Sequence, residues 1–62
     1  MGTYAAGIAR FVANFGPETR RAVVEAALAN REEDLRRKFR GRPGLEARVA
    51  HDLTLRELRS LL

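Results

Sequence analysis

The chain has 62 residues, a formal net charge of +4 and no cysteine. That length allows one domain with a small core, and a chain this short buries a limited share of its surface. Disulfides and thiolate zinc sites are excluded, and with His51 as the single imidazole the composition argues against a structural metal site. Such a domain needs efficient helix packing or a partner to be stable. No apolar run approaches the roughly 20 residues that span a bilayer, and the N-terminal residues lack the basic start and cleavage pattern of a secretory signal. These features point to a cytoplasmic protein. Every basic residue but Lys38 is arginine, which suits a GC-rich coding sequence.

Helical spacing dominates and strand alternation is absent, so the expected class is all-α. The first helix is expected over residues 3–15, with Thr3 as its N-cap. Tyr4, Ile8, Phe11 and Phe15 form one stripe at helical spacing, and Ala6, Ala9 and Ala13 lie opposite. Arg10 is the only charge before Glu18. A helix with so little polar surface is either the centre of a core or packed between its own domain and a partner.

Gly16 suits the left-handed residue that ends a helix, and Pro17 suits the first turn of the next. The second helix is expected over 17–40, with Val24, Leu28, Leu35 and Phe39 in phase on one face. Asn30-Arg31-Glu32-Glu33 also reads as a fresh helix start, with an Asn cap and an acid three residues on. The continuous helix is favoured, because no glycine or proline supports a stop. Two short helices follow, over 44–51 and 55–62. The break between them is inferred from a phase change: Leu45 and Val49 share a face that Leu55, Leu58 and Leu62 do not continue. Thr54 and Glu57 form a capping-box pair, and Leu53 can staple onto Leu58. The expected architecture is a single small antiparallel bundle of about four helices spanning residues 1–62.

Residues 38–44, KFRGRPG, raise a functional question. Arg40-Gly41-Arg42-Pro43 resembles the four-residue core of an AT-hook, a segment that lies along the DNA minor groove. The resemblance implies A·T-selective DNA binding by Arg40 and Arg42. Hooks of that kind sit in disordered basic tails and carry further basic residues after the proline, whereas Gly44, Leu45 and Glu46 follow here. A helix–turn–helix connection explains each residue as well. Gly41 ends a helix, Pro43 starts the next, and Gly44 relaxes the turn. The turn is the favoured reading. Glu32, Glu33 and Asp34 stand four residues before Arg36, Arg37 and Lys38, the favourable order for helix ion pairs. Those pairs leave Arg40 and Arg42 uncompensated.

Catalytic chemistry finds no support in the residue types. His51 and Asp52 are adjacent, so on a helix they point about 100° apart and form no oriented pair. Three consecutive acids at 32–34 do not converge on a cation, and an acidic first helical turn is a commoner reason for them. No glycine-rich phosphate loop follows a strand. Neither an enzyme, a cofactor nor a small-molecule substrate is expected. Leu58-Arg59-Ser60-Leu61-Leu62 matches the LxxLL pattern of coactivator peptides, but the arginine-rich composition gives that identity no support. Leu55, Leu58, Leu61 and Leu62 nevertheless span too wide an arc for one small domain to cover. The leading expectation is a non-catalytic protein-interaction module, an adaptor, small subunit or self-associating domain. Its contacts would be Tyr4, Ile8, Phe11, Phe15, Leu55, Leu58, Leu61 and Leu62. The alternative is a nucleic-acid-binding module touching phosphates through Arg36, Arg37, Arg40, Arg42 and Arg48.

Overall fold

The computed structural model describes all of residues 1–62 and contains four helices: α1 (Thr3–Val12), α2 (Pro17–Lys38), α3 (Leu45–Ala50) and α4 (Leu53–Arg59). The all-α expectation holds. No helix is long and apolar enough to cross a membrane.

The architecture is organised by α2. Gly16 is its N-cap and Pro17 occupies its first turn, where a missing N–H costs nothing. Glu18 sits at its positive end, and Arg36, Arg37 and Lys38 at its negative end. The helix runs unbroken through Asn30. Its 22 residues make a rod of about 33 Å, which sets the long axis of a molecule measuring 40 × 19 × 14 Å. Val24, Ala27 and Leu35 are buried along one stripe. Against α2 lie α1, α3 and α4, and α4 also packs on α1.

The core is divided. Ala5, Ala27 and Leu58 form one cluster, flanked by Ile8 and Leu61. Leu35, Val49 and Leu55 form a second, flanked by Phe39 and Leu45. Leu28 packs against both. Only eight residues are buried in the whole chain. The radius of gyration, 12.5 Å, exceeds the roughly 10.6 Å of a compact domain of this length. The accessible surface, 4535 Å², likewise exceeds the roughly 4,000 Å² of a folded monomer of this mass.

Four local expectations are corrected. First, α1 ends at Val12 rather than Phe15, and Gly16 is extended (φ −65°, ψ 164°) rather than left-handed. The glycine serves the start of α2, while Ala13 to Phe15 finish α1 with a tight turn in which the Phe15 N–H reaches the Val12 carbonyl at 3.0 Å. Second, Thr3 is the first helical residue and Gly2 the cap, with no capping side chain of its own. The Gly2 N–H instead divides its bond between the two carboxylate oxygens of Glu57, each at 2.9 Å. A carboxylate from α4 thus meets the positive end of α1. Third, Glu57 is therefore not half of a capping box. The cap of α4 is Asp52, whose Oδ2 accepts from the Leu55 N–H at 3.0 Å. The helix starts at Leu53, inside the span first assigned to the connection, and Leu53 is 62% exposed instead of stapled to Leu58. Fourth, α2 and α3 stop and start at Lys38 and Leu45, with Gly41 (φ 75°) and Gly44 (φ 80°) left-handed between them.

The Asp52 carboxylate also takes a two-point contact from Arg31 of α2, Nη2 to Oδ1 at 2.8 Å and Nε to Oδ2 at 3.0 Å. The pair is largely shielded, with 12% of the Asp52 side chain and 30% of the Arg31 side chain exposed. Losing a cap costs about 1 kcal/mol, and a charge-assisted bond about 1.5–3 kcal/mol. Asp52→Ala should therefore destabilise the chain by about 2–3 kcal/mol in urea denaturation, whereas Thr54→Ala should stay within about 0.5 kcal/mol. The reverse order would show that Thr54, not Asp52, starts α4.

Candidate functional site

The first helix is turned relative to its apolar stripe. At about 100° per residue, Ala5 and Val12, the buried residues of α1, point a quarter turn away from the centre of the Tyr4–Phe11–Phe15 stripe. Ala5 reaches the axis between α2 and α4, beside Ala27 and Leu58. Small side chains let the helices approach there, and the aromatics are left at the flank. Tyr4 is 49% exposed and Phe11 62%. Ile8 is half-buried against the first cluster. Phe15 is half-buried, and its ring meets Phe11 edge-to-face at 5.1 Å and 77°. That geometry suits the aromatic quadrupoles and holds the two rings as one patch.

The C-terminal leucines divide differently from expectation. Leu55 and Leu58 are 1% and 0% exposed and belong to the chain's own core. As partner contacts they are withdrawn, because a side chain already covered offers nothing to a partner. Leu61 is half-buried on the first cluster. Leu62 remains exposed.

The basic residues also separate into two sets. Arg36 is committed: Nη1 and Nη2 hold Glu46 of α3 at 2.6 and 3.1 Å, and Nε lies 3.5 Å from Glu32. The Arg36 bonds hold the Glu46 carboxyl below its ordinary range. Arg37 turns to Asp34 at 2.9 Å instead of to Glu33, and Lys38 shares the same carboxylate at 3.3 Å. The Lys38 bond, then Arg37, pulls the Asp34 carboxyl down. As phosphate contacts, Arg36 and Arg37 are weakened by these acids. They line an open groove of about 510 Å³ with Arg40, Glu32 and Glu33.

Arg40, Arg42 and Arg48 are exposed and enter none of the chain's ion pairs. The guanidinium of Arg48 lies 4.1 Å from the centre of the Phe39 ring, and that of Arg42 lies 5.9 Å from it. The segment Arg40-Gly41-Arg42-Pro43 is a turn. The Arg42 N–H bonds the Phe39 carbonyl at 3.0 Å, and Gly41 is left-handed. It is not the extended strand that a minor-groove hook requires.

A second open groove, also about 510 Å³, is lined by Tyr4, Asn30, Arg31, Glu33, Asp34, Arg37 and Thr54. Arg31 and Asp52, which anchor the helices beside it, were missed as a pair in the sequence. Asp52 does precede a helix start, a signal for a cap, but Thr54 and Glu57 offered a competing one. Protein-family models, curated proteins and solved structures give no match to this chain.

Two predictions follow from this geometry. The Arg31 bond, then the Leu55 N–H, lowers the Asp52 carboxyl below its ordinary value. A depressed folded-state pKa contributes stability above the unfolded value of about 3.9, and that stability is lost as pH falls through the folded value. The urea midpoint should therefore drop more steeply below about pH 4 in the wild type than in Asp52→Asn; parallel profiles would refute the assignment. At the turn, Gly41→Val forces a β-branched residue into the left-handed region and should cost about 1–2 kcal/mol. Arg40→Ala with Arg42→Ala should leave the denaturation midpoint nearly unchanged. A harmless valine would mean the turn is not needed to place α3.

Proposed function

We propose that this chain is a non-catalytic protein-interaction module that docks through the Tyr4–Phe11–Phe15 edge of α1, onto a protein partner or a second copy of itself. The observation that supports the reading is Phe11, 62% exposed and locked edge-to-face against Phe15. A phenylalanine can bury some 150–250 Å², and aromatics are enriched at the centres of interfaces. Arg10 is the one charge on this helix, so little desolvation of charge opposes contact along it.

The surface area supports the same reading. The excess over a compact monomer, on the order of 500 Å², is most of the roughly 800 Å² that one partner contributes to a standard interface. Self-association and a separate partner differ in what they demand of the +4 net charge. Two copies bring like charges together, so a homodimer should tighten with salt, whereas an acidic partner should loosen.

Sedimentation over a range of concentrations, with and without salt, checks the proposal. Phe11→Ser should abolish association while leaving the helical signal intact. Phe11→Ala should cost the isolated chain about 1 kcal/mol, far below the roughly 3–5 kcal/mol of a buried phenylalanine. In the associated state the loss should depend on protein concentration. A loss of about 3–5 kcal/mol at every dilution would place Phe11 in a private core and overturn the reading.

A further inference from the structure

We propose that the turn joining α2 to α3 carries a sequence-independent contact site for the phosphate backbone of nucleic acid, built from Arg42 and Arg48 on the Phe39 ring and extended by Arg40. The site is separate from the Phe11–Phe15 pair of α1, which adjoins the start of α2, since the α1–α2 connection and Phe39 lie at opposite ends of that helix, about 33 Å apart.

The argument begins with charge balance. Between Phe39 and His51 the only acid is Glu46, and Arg36 of α2 holds it through both guanidinium nitrogens. Arg40, Arg42 and Arg48 therefore stand without acid compensation at one end of the molecule. Elsewhere the basic cluster of α2 is neutralised in place, with Arg37 and Lys38 on Asp34 and Arg31 on Asp52. Three of the arginines that enter no ion pair, Arg40, Arg42 and Arg48, are thus gathered within nine residues around the turn, with no free acid among them.

Preorganisation is the second element. Arg48 lies over the Phe39 ring at 4.1 Å and Arg42 within 5.9 Å of its centre, so the ring holds both guanidinium groups while the residues stay exposed. A planar guanidinium held this way presents its N–H fork to phosphate with less entropy to lose than a free arginine. The two guanidinium carbons cannot be farther apart than the sum of their distances to the shared ring centre, about 10 Å. Phosphates on one strand advance about 3.4 Å per step along the helix axis, so both cations can engage one strand within three steps.

The same features argue against base reading. Phe39 is half-buried and Arg48 lies over its ring at 4.1 Å, which makes it a poor platform for an unstacked base. The turn offers neither Asn nor Gln for adenine, and its left-handed glycines keep it from lying extended in a minor groove. What remains is contact with the backbone alone.

The test is fluorescence polarisation with two labelled duplexes of about 20 base pairs, one A·T-rich and one G·C-rich, over a salt series. The proteins are wild type, Arg42→Ala/Arg48→Ala, and Arg20→Ala as a charge control on the far end of α2. Wild type should bind both duplexes alike. The double variant should bind about tenfold more weakly at 0.1 M salt, with the log–log salt slope shallower by about two, near 0.9 per phosphate contact. Arg20→Ala should retain both affinity and slope. Circular dichroism first establishes that helicity is kept; should the double variant unfold, each single variant should lower the slope by about one. Four results would overturn the proposal: no duplex binding by wild type, a preference for the A·T-rich duplex, equal loss in Arg20→Ala, or tighter binding of polyglutamate than of either duplex at equal charge concentration. The last would reassign the site to an acidic protein.

Discussion

One carboxylate sets the arrangement of the whole chain. Asp52 closes the first turn of α4 and simultaneously receives the guanidinium of Arg31 from the middle of α2. Helices as short as α3 and α4 do not persist alone in water, because nucleation is costly and few residues follow to repay it. They need fixed points on a longer element. Asp52 is the fixed point for α4, and Glu46, gripped by Arg36, is that for α3. The two differ in weight, since the Asp52 pair is shielded and the Glu46 pair open to solvent. Once α4 is seated, Leu58 completes the cluster with Ala5 and Ala27, and Glu57 meets the start of α1. α1 is thus held from two sides, by α2 and by α4.

The economy of apolar residues follows from that packing. The places where helices approach one another are filled by Ala5, Ala27 and a few aliphatic side chains, while Tyr4 and Phe11 stand outside. Close approach and bulk are incompatible at one point, and the fold resolves the conflict in favour of approach. The Phe11–Phe15 pair is what remains at one end of α2. At the other, the pairing of α2's basic residues with local acids leaves three arginines over. The two surfaces arise from separate bookkeeping, one of volume and one of charge.

Much of the helix pattern was legible in the sequence. The stripe through Val24, Leu28 and Leu35, Pro17 in a first turn, and the phase change before Leu55 all reflect local rules and appear in the structure. The turn at Gly41 was legible for the same reason. The rotation of α1 was not, because the strongest apolar stripe of an isolated helix need not be the face its neighbours can accommodate. Which face goes inward depends on Ala27 and Leu58, far along the chain. The start of α4 was misplaced for a related reason. Asp52 and Thr54 are both acceptable caps, and Arg31, twenty-one residues away, decides between them. Gly16 shows the limit of residue-type rules, since an extended glycine before a helix and a left-handed one after a helix look alike in sequence. Of the candidate contacts, the arginines beyond Phe39 could be picked out by counting nearby acids. The burial of Leu55 and Leu58 could not.

Leu28 has a role that neither surface shares. It alone packs against both halves of the divided core, so it is the apolar route by which loosening at one end is felt at the other. Cooperative units in proteins are contiguous packed regions, and amide exchange reports where one ends and the next begins. In this chain α2 and α4 run through both clusters, and Leu28 is the side chain that touches each. Shortening it would weaken the side-chain link between the α1 end and the α3 end and leave the coupling to the backbones of α2 and α4.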